Sequence, residues 1–282
     1  MKITILSGKG GTGKTTVSTN LAYVLSKKYK VQLLDVDVEE PNDYLFFDVT
    51  FEKEESVDIL LPVVDNDKCI KCGECSRACQ FGAISVFPNS TVVFKNLCHG
   101  CGACTMVCPV NAIKEVPKSI GKIKLGRINE NLKFGMGLLN IGEPSGVRII
   151  RQLKKHIDES FDVILIDSQP GTSCPVVESL RNVDFAILVT EPTTFGLHDL
   201  SLAVDLVKEM KIPAAIVVNR DTNRSNLIDE YAKRENIPIG LKIPFDKKIA
   251  RLYSEGKIFA QHLPEWEGKF LDFFNAIKEM IK

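Results

Sequence analysis

Eight of the nine cysteines are arranged in two quartets of identical spacing, a pattern typical of metal-binding sites. In each quartet three cysteines are separated by two residues each, and a fourth follows after three more. The quartets are Cys69, Cys72, Cys75 and Cys79, and Cys98, Cys101, Cys104 and Cys108. Four thiolates suit either an iron–sulfur cluster or zinc. Zinc sites more often use two pairs of cysteines per ion, so the spacing favours clusters over zinc or disulfides.

The second quartet repeats the first, because each of its cysteines follows its counterpart by 29 residues. The arrangement resembles the bacterial ferredoxins with two [4Fe–4S] clusters, in which the fourth cysteine of each quartet crosses to the other cluster. The resemblance implies one cluster on Cys69, Cys72, Cys75 and Cys108, and a second on Cys98, Cys101, Cys104 and Cys79. Gln80 departs from the usual proline after the fourth cysteine, whereas the second quartet keeps Pro109.

A glycine-rich loop near the start of the chain predicts a phosphate-binding site. Residues 8–15, GKGGTGKT, fit the pattern G-x-x-x-x-G-K-[ST] and lie between a predicted strand and a predicted helix. Lys14 would contact the β- and γ-phosphates of ATP, and the Thr15 hydroxyl would ligate Mg²⁺. An ordinary glycine-rich turn is the alternative. The predicted nucleotide-binding residues of the loop are Gly8, Lys9, Gly10, Gly11, Thr12, Gly13, Lys14, Thr15 and Thr16.

The early second lysine, Lys9, resembles the deviant phosphate-binding loop of the MinD/ParA/Mrp ATPases and of the nitrogenase iron protein. Residues 33–37, 161–171 and 217–220 resemble further motifs of that superfamily. The resemblance implies that Lys9 reaches the nucleotide of a partner subunit and that Asp37 orients the attacking water. It also implies that Asp167 holds Mg²⁺ through water and that Asn219 contacts adenine. Taken singly, each aspartate could instead be a strand-end or capping residue.

The order of the predicted elements indicates how these residues are held. Short apolar strands alternate with amphipathic helices on both sides of the cysteine segment, as in a parallel sheet covered by helices. We therefore expect an α/β fold, a three-layer, doubly wound and mostly parallel P-loop NTPase sheet. A small α+β ferredoxin-type domain would interrupt it. The expected boundaries are residues 1–61 and 119–282 for the ATPase domain and 62–118 for the insertion.

Composition limits the classes of partner. Thirty-six basic residues balance 36 acidic ones, so no charge surplus favours nucleic acid. No apolar run reaches the roughly 18 residues of a membrane-spanning helix, and we expect a cytoplasmic protein. The apolar stripe of the last helix, from Leu271 to Ile281, is expected to pack in the core rather than to contact a membrane.

These predictions lead to an ATPase that converts ATP and water to ADP and phosphate, with ATP, Mg²⁺ and two [4Fe–4S] clusters as cofactors. The catalytic residues would be Lys9, Lys14 and Asp37, and ATP would drive formation of a homodimer. The first expected function is nucleotide-gated electron transfer to an unidentified partner protein, because eight permanent ligands hold clusters firmly. The alternatives are assembly or transport of iron–sulfur or other metal centres, and a positioning or regulatory switch with redox-sensing clusters.

Overall fold

A computed structural model describes residues 1–281 as a nine-stranded sheet with helices on both faces, plus a small segment projecting from one edge. The strands are β1 (Lys2–Leu6), β2 (Val31–Asp35), β3 (Thr50–Val64), β4 (Ile84–Val86), β5 (Thr91–Val93), β6 (Ile113–Asn129), β7 (Leu132–Leu139), β8 (Val163–Asp167), β9 (Phe185–Thr190), β10 (Ala214–Asp221) and β11 (Ile239–Pro244). The helices are α1 (Lys14–Ser26), α2 (Glu74–Ala78), α3 (Ala103–Met106), α4 (Val147–Lys154), α5 (Cys174–Leu180), α6 (Thr194–Glu209), α7 (Leu227–Glu235), α8 (Lys247–Ser254), α9 (Phe259–His262) and α10 (Glu265–Ile281).

The large sheet has the order β11-β10-β9-β1-β8-β2-β7-β6-β3. Its strands are parallel from β11 through β7, and β6 and β3 then continue it in antiparallel fashion. The central strands β8 and β9 are buried along their whole length. Continuous apolar runs of this kind belong to parallel sheets covered on both faces, so the predicted mostly parallel α/β fold is confirmed.

Successive side chains of each strand point to opposite faces of the sheet, so the core is divided between the two faces. Leu33 packs with α1 and α10 on one face, whereas the next residue, Leu34, packs with α4 on the other. Helices α5, α6 and α7 cover the second face beyond α4. The apolar side of α10 lies in the core, with Phe274 and Ile277 fully buried. Within residues 1–281, no helix combines the length and the apolar character needed to cross a membrane.

A long antiparallel ladder carries the cysteine segment. Strands β3 and β6 pair from Thr50–Arg127 to Val64–Ile113, which takes them through the expected domain boundaries at residues 61/62 and 118/119. Residues 65–112 beyond the ladder form the two-stranded sheet β4–β5 and the short helices α2 and α3. The ladder therefore joins this segment to the edge of the large sheet without a flexible linker.

Candidate functional site

The phosphate-binding loop follows β1 at the carboxyl edge of the parallel strands, where polar residues of neighbouring strands also end. Gly11 and Gly13 adopt left-handed backbone conformations, with φ of 79° and 100°. A Cβ atom at Gly13 would also clash with the amide nitrogen of Asn219, which donates a hydrogen bond to the Thr12 carbonyl at 2.8 Å. The loop shape therefore requires glycine at position 13 and depends on the end of β10.

A cavity of about 430 Å³ lies over this loop. Of the predicted nucleotide-site residues, eight line it: Gly10, Gly11, Gly13, Lys14, Thr15, Thr16, Asp37 and Asn219. Four others, Gly8, Lys9, Thr12 and Asp167, do not. The opposite wall comes from α8 and the residues before it, including Phe245 and Tyr253. The volume and the mixed lining suit a small charged molecule with a flat ring.

The end of the cavity at Thr15 is suited to a cation. The Thr15 hydroxyl lies 3.1 Å from Asp167 Oδ2 and 2.8 Å from Asn42 Oδ1. Ser18 donates to the same Asp167 oxygen at 3.1 Å. The other oxygen, Asp167 Oδ1, is buried without a hydrogen-bond partner among the described residues. Hydroxyl, amide and carboxylate oxygens in this arrangement are the ligands that Mg²⁺ prefers.

Four carboxylates gather here, and their environment favours their neutral forms. Burial, with Asp167 as the main neighbouring charge, raises the pKa of Asp35 and of Asp43 well above the usual range. Burial also raises the pKa of Asp167. Asp37 is half-buried, and burial raises its pKa to about 6 although Lys14 pulls in the opposite direction. A divalent cation would relieve this concentration of negative charge.

Sequence reasoning missed three polar residues that surround Asp167, namely Ser18, Asp35 and Asp43. The backbone N–H groups of Asn42 and Asp43 donate to Asp35 Oδ2 at 2.8 and 3.0 Å, and Ser18 bridges Asp43 and Asp167. The only available signal was the polar run that follows Asp37. Such a run is equally typical of a surface loop, so it did not reveal that Asp43 is fully buried.

The eight clustered cysteines divide between two small cavities in the projecting segment. Cys69, Cys72, Cys75 and Cys108 line one, and Cys79, Cys98, Cys101 and Cys104 line the other. Each cavity thus combines the first three cysteines of one quartet with the fourth of the other. Cys75, Cys98 and Cys104 are buried, which raises the pKa of each thiol. Among the described residues, no group of three or more His, Cys, Asp and Glu side chains is arranged to hold a metal ion.

The sequence repeat has a structural counterpart. Left-handed backbone conformations occur at equivalent positions of the two halves: Lys71 and Gly100, Gly73 and Gly102, and Gly82 and Asn111. The N–H groups of Ala83 and Ala112 donate to the sulfurs of Cys79 and Cys108, each at 3.2 Å. The two cavities are therefore built by the same turns, and backbone N–H groups are directed at the sulfur atoms in both.

Comparison with known proteins places the chain in a family. Residues 3–259 match the family described as the CobQ/CobB/MinD/ParA nucleotide binding domain. The chain belongs to this family. Its P-loop fold is therefore that of a nucleotide-hydrolysing superfamily, which agrees with the loop, the cavity and the cation-binding end described above.

Relatives match the chain over nearly its full length. The uncharacterized protein MJ0578 of Methanocaldococcus jannaschii is 33% identical over 100% of this chain and 98% of its own length. The cytosolic Fe-S cluster assembly factor Nubp2 homolog of Aedes aegypti is 29% identical over 93% of this chain and 90% of its own. An iron-sulfur cluster carrier protein of Pyrococcus horikoshii is 29% identical over 88% of this chain and 75% of its own length.

The fold is also found in solved structures. The septum site-determining protein MinD of Pyrococcus horikoshii, solved in complex with Mg-ADP, superposes with a TM-score of 0.59 at 21% identity. The match covers 96% of this chain and 93% of that one. It establishes the common ATPase fold.

Proposed function

We propose that this protein is an ATPase that assembles or delivers iron–sulfur centres. The proposal rests on one observation: the same chain has a cavity over the P-loop and two further cavities that are each lined by four cysteines. Two named relatives add support, since one is called an Fe-S cluster assembly factor and another an iron-sulfur cluster carrier. They favour this function over electron transfer, which the cysteine spacing alone had suggested.

The nucleotide cavity would bind ATP with Mg²⁺. Lys14 would contact the β- and γ-phosphates, while Thr15 and Asp167 would hold the cation directly or through water. Asp37 lines the same cavity and would orient the water that attacks the γ-phosphorus. Its water-orienting role needs the carboxylate, so activity should depend on ionisation of a group whose pKa lies near 6 in the free protein.

Lys9 would act on a second chain. It belongs to the loop yet does not line the cavity of its own chain, which agrees with a contact to the nucleotide of a neighbouring chain. In a dimer whose nucleotide cavities face each other, Lys9 of one subunit would stabilise charge on the γ-phosphate bound to its partner, as an arginine finger does. ATP would then be part of the dimer interface, and hydrolysis would loosen it.

The cysteine cavities fit [4Fe–4S] clusters. Each offers four thiols, and each has a backbone N–H directed at a sulfur atom, an interaction that stabilises cluster thiolates. Cys69, Cys72, Cys75 and Cys108 would hold one cluster, and Cys98, Cys101, Cys104 and Cys79 the other. A bound cluster supplies one-electron chemistry. In each cavity one ligand, Cys72 or Cys101, is exposed and provides the side from which a partner could approach.

Nucleotide-gated electron transfer is the second candidate. It is favoured by the burial of Cys75, Cys98 and Cys104, because a cluster that is handed on should be loosely held. In that case both clusters would stay with the chain, and ATP would change only how fast they exchange electrons with a partner.

One experiment separates the two functions. Protein loaded anaerobically with ⁵⁷Fe clusters is mixed with an iron-free ferredoxin, and label in each protein is followed by Mössbauer spectroscopy. Delivery predicts that ATP moves label to the ferredoxin, that Lys14→Ala abolishes the ATP effect, and that the exposed control Lys28→Ala does not.

Two results would contradict delivery. Label that stays with the chain through many turnovers would count against delivery, and electron transfer would be established if ATP accelerated oxidation of its reduced clusters by the cluster-loaded form of that ferredoxin in a parallel sample. Label movement and electron exchange that are both indifferent to ATP would exclude both functions.

A further inference from the structure

A cavity of about 330 Å³ lies between the cysteine segment and α4, separate from the nucleotide site. Its floor is apolar and comes from the antiparallel ladder, where Ile59 and Ile120 are almost fully buried. One wall contains Cys98 and His99, and Cys98 also lines the second cysteine cavity. A molecule in this cavity would therefore lie beside that cysteine site.

The facing wall is cationic. Arg148, Arg151 and Lys155 occur at helical spacings of three and four residues, which places them along one side of α4. None of the residues that line the cavity is acidic. Arg151 is already paired with Glu178 at 3.0 Å, whereas no carboxylate among the described residues pairs with Arg148 or Lys155. Two cations without an ion-pair partner among the described residues thus line one cavity with an apolar floor.

Packing on both sides makes the cavity rigid. A Cβ atom at Gly146 would clash with Val38, so the start of α4 lies directly against the sheet. The ammonium of the partly buried Lys154 donates to three backbone carbonyls around the end of α5, which anchors the other end of α4. On the opposite wall a Cβ at Gly100 would come within 2.9 Å of Ile59. The backbone around the cavity is therefore fixed on both sides.

We propose that this cavity binds a small organic anion, a compact molecule with two anionic groups at its ends that are either carboxylates or phosphates. Arg148 and Lys155 are seven residues apart, which corresponds to about 10 Å along the helix, so one anionic group cannot contact both closely. Two terminal anionic groups can, and the apolar floor between them accommodates a short carbon chain. The volume is at the lower end of the range for small-molecule sites, about 300–1,000 Å³.

Titration calorimetry on the full chain, with bound clusters and saturating Mg-ADP, tests this inference. ADP occupies the phosphate-binding loop, so added anions report on other sites. The probes are adipate, fructose 1,6-bisphosphate, and hexanoate as the matched monoanion. Adipate or the bisphosphate should bind at least about tenfold more tightly than hexanoate, and binding should weaken as salt increases. The stronger of the two also identifies the anionic group as carboxylate or phosphate.

Variants locate the site. Arg148→Ala and Lys155→Ala should each weaken binding of adipate or the bisphosphate about three- to tenfold, the effect of one charged contact near a surface. Neither side chain makes another ion pair, so folding should be unaffected. Lys28→Ala removes an equally exposed charge on the opposite side of the sheet and should change nothing.

The inference is overturned if neither adipate nor the bisphosphate binds better than hexanoate, or if Lys28→Ala weakens binding as much as the two cavity variants. The measurement involves neither hydrolysis nor cluster transfer. Its outcome is therefore independent of whether the chain delivers clusters, and the two proposals can fail separately.

Discussion

The nucleotide cavity and the cysteine cavities are built in opposite ways. The nucleotide cavity is wide and has a mixed polar and apolar lining, and it lies at the carboxyl edge of a large sheet whose central strands are fully buried. The cysteine cavities are small and apolar, and they lie in a segment whose own core consists largely of Cys75, Cys104, Ile84 and Ile113. A large core can position a site without its ligand, whereas we expect a segment with so small a core to need further stabilisation, such as the clusters proposed above.

The two regions also differ in whether one chain brings all of the predicted site residues into the cavity. Each cysteine cavity receives all four thiols from a single chain. The nucleotide cavity excludes Lys9, a residue of its own phosphate-binding loop. We therefore expect a second chain to matter for hydrolysis and to be irrelevant for cluster binding.

The largest expected effect concerns Lys9. Lys9→Ala should bind ATP normally but hydrolyse it about 10³-fold more slowly, because the charge supplied in trans is lost. Mixing it with Asp37→Ala chains should restore part of the activity, since a heterodimer has one site with both groups. Rates of the single and mixed variants at equal total protein test this, with sedimentation in a slowly hydrolysed ATP analogue as the control. A monomer with normal turnover would refute the in-trans role, and the iron content should be the same in all samples.

An intermediate effect is expected from the crossed cysteines. Cys108→Ala should remove the cluster held with Cys69, Cys72 and Cys75, so iron falls from about eight to about four atoms per chain. Cys79→Ala should remove the other cluster, and the exposed Cys174→Ala should remove none. Iron analysis together with electron paramagnetic resonance of the remaining cluster distinguishes the variants. If Cys108→Ala and Cys101→Ala left the same cluster signal, the pairing would be local and the crossed assignment wrong.

The smallest expected effect is on stability, and it comes from the contact between the cysteine segment and strand β3 of the ladder. Gly100 has φ of 63°, but the equivalent residue in the first half is Lys71 at φ 59°, so the backbone there accepts a side chain. What forbids one at Gly100 is Ile59. Gly100→Ala should therefore destabilise the cysteine segment by about 1–3 kcal/mol. Gly82→Asn copies Asn111 of the other half, has open space around it, and should be nearly neutral.

Loss of iron to a chelator at graded temperatures measures this effect. Faster loss from Gly100→Ala than from Gly82→Asn, with ATP binding unchanged in both, is the expected result. Equal rates would mean that the segment is not held in place by its contact with the ladder.

The sequence alone determined the parts of both sites that are contiguous in the chain. The phosphate-binding loop needs glycines and Lys14 at fixed spacing, and the quartets need cysteines at fixed spacing, so both could be recognised without a structure. Alternating apolar strands and helices also predicted the mostly parallel sheet, since burial on both faces leaves a clear pattern.

How distant segments meet could be seen only in the folded chain. In the structure Asp43 is buried near Asp167, and Lys9 does not line the nucleotide cavity. Helix α4 packs against the ladder near Cys98. These contacts join residues far apart in the chain through the packing of the sheet. The physical reason is that a polar residue in a loop has the same local signature whether it is buried or exposed, and only packing distinguishes the two.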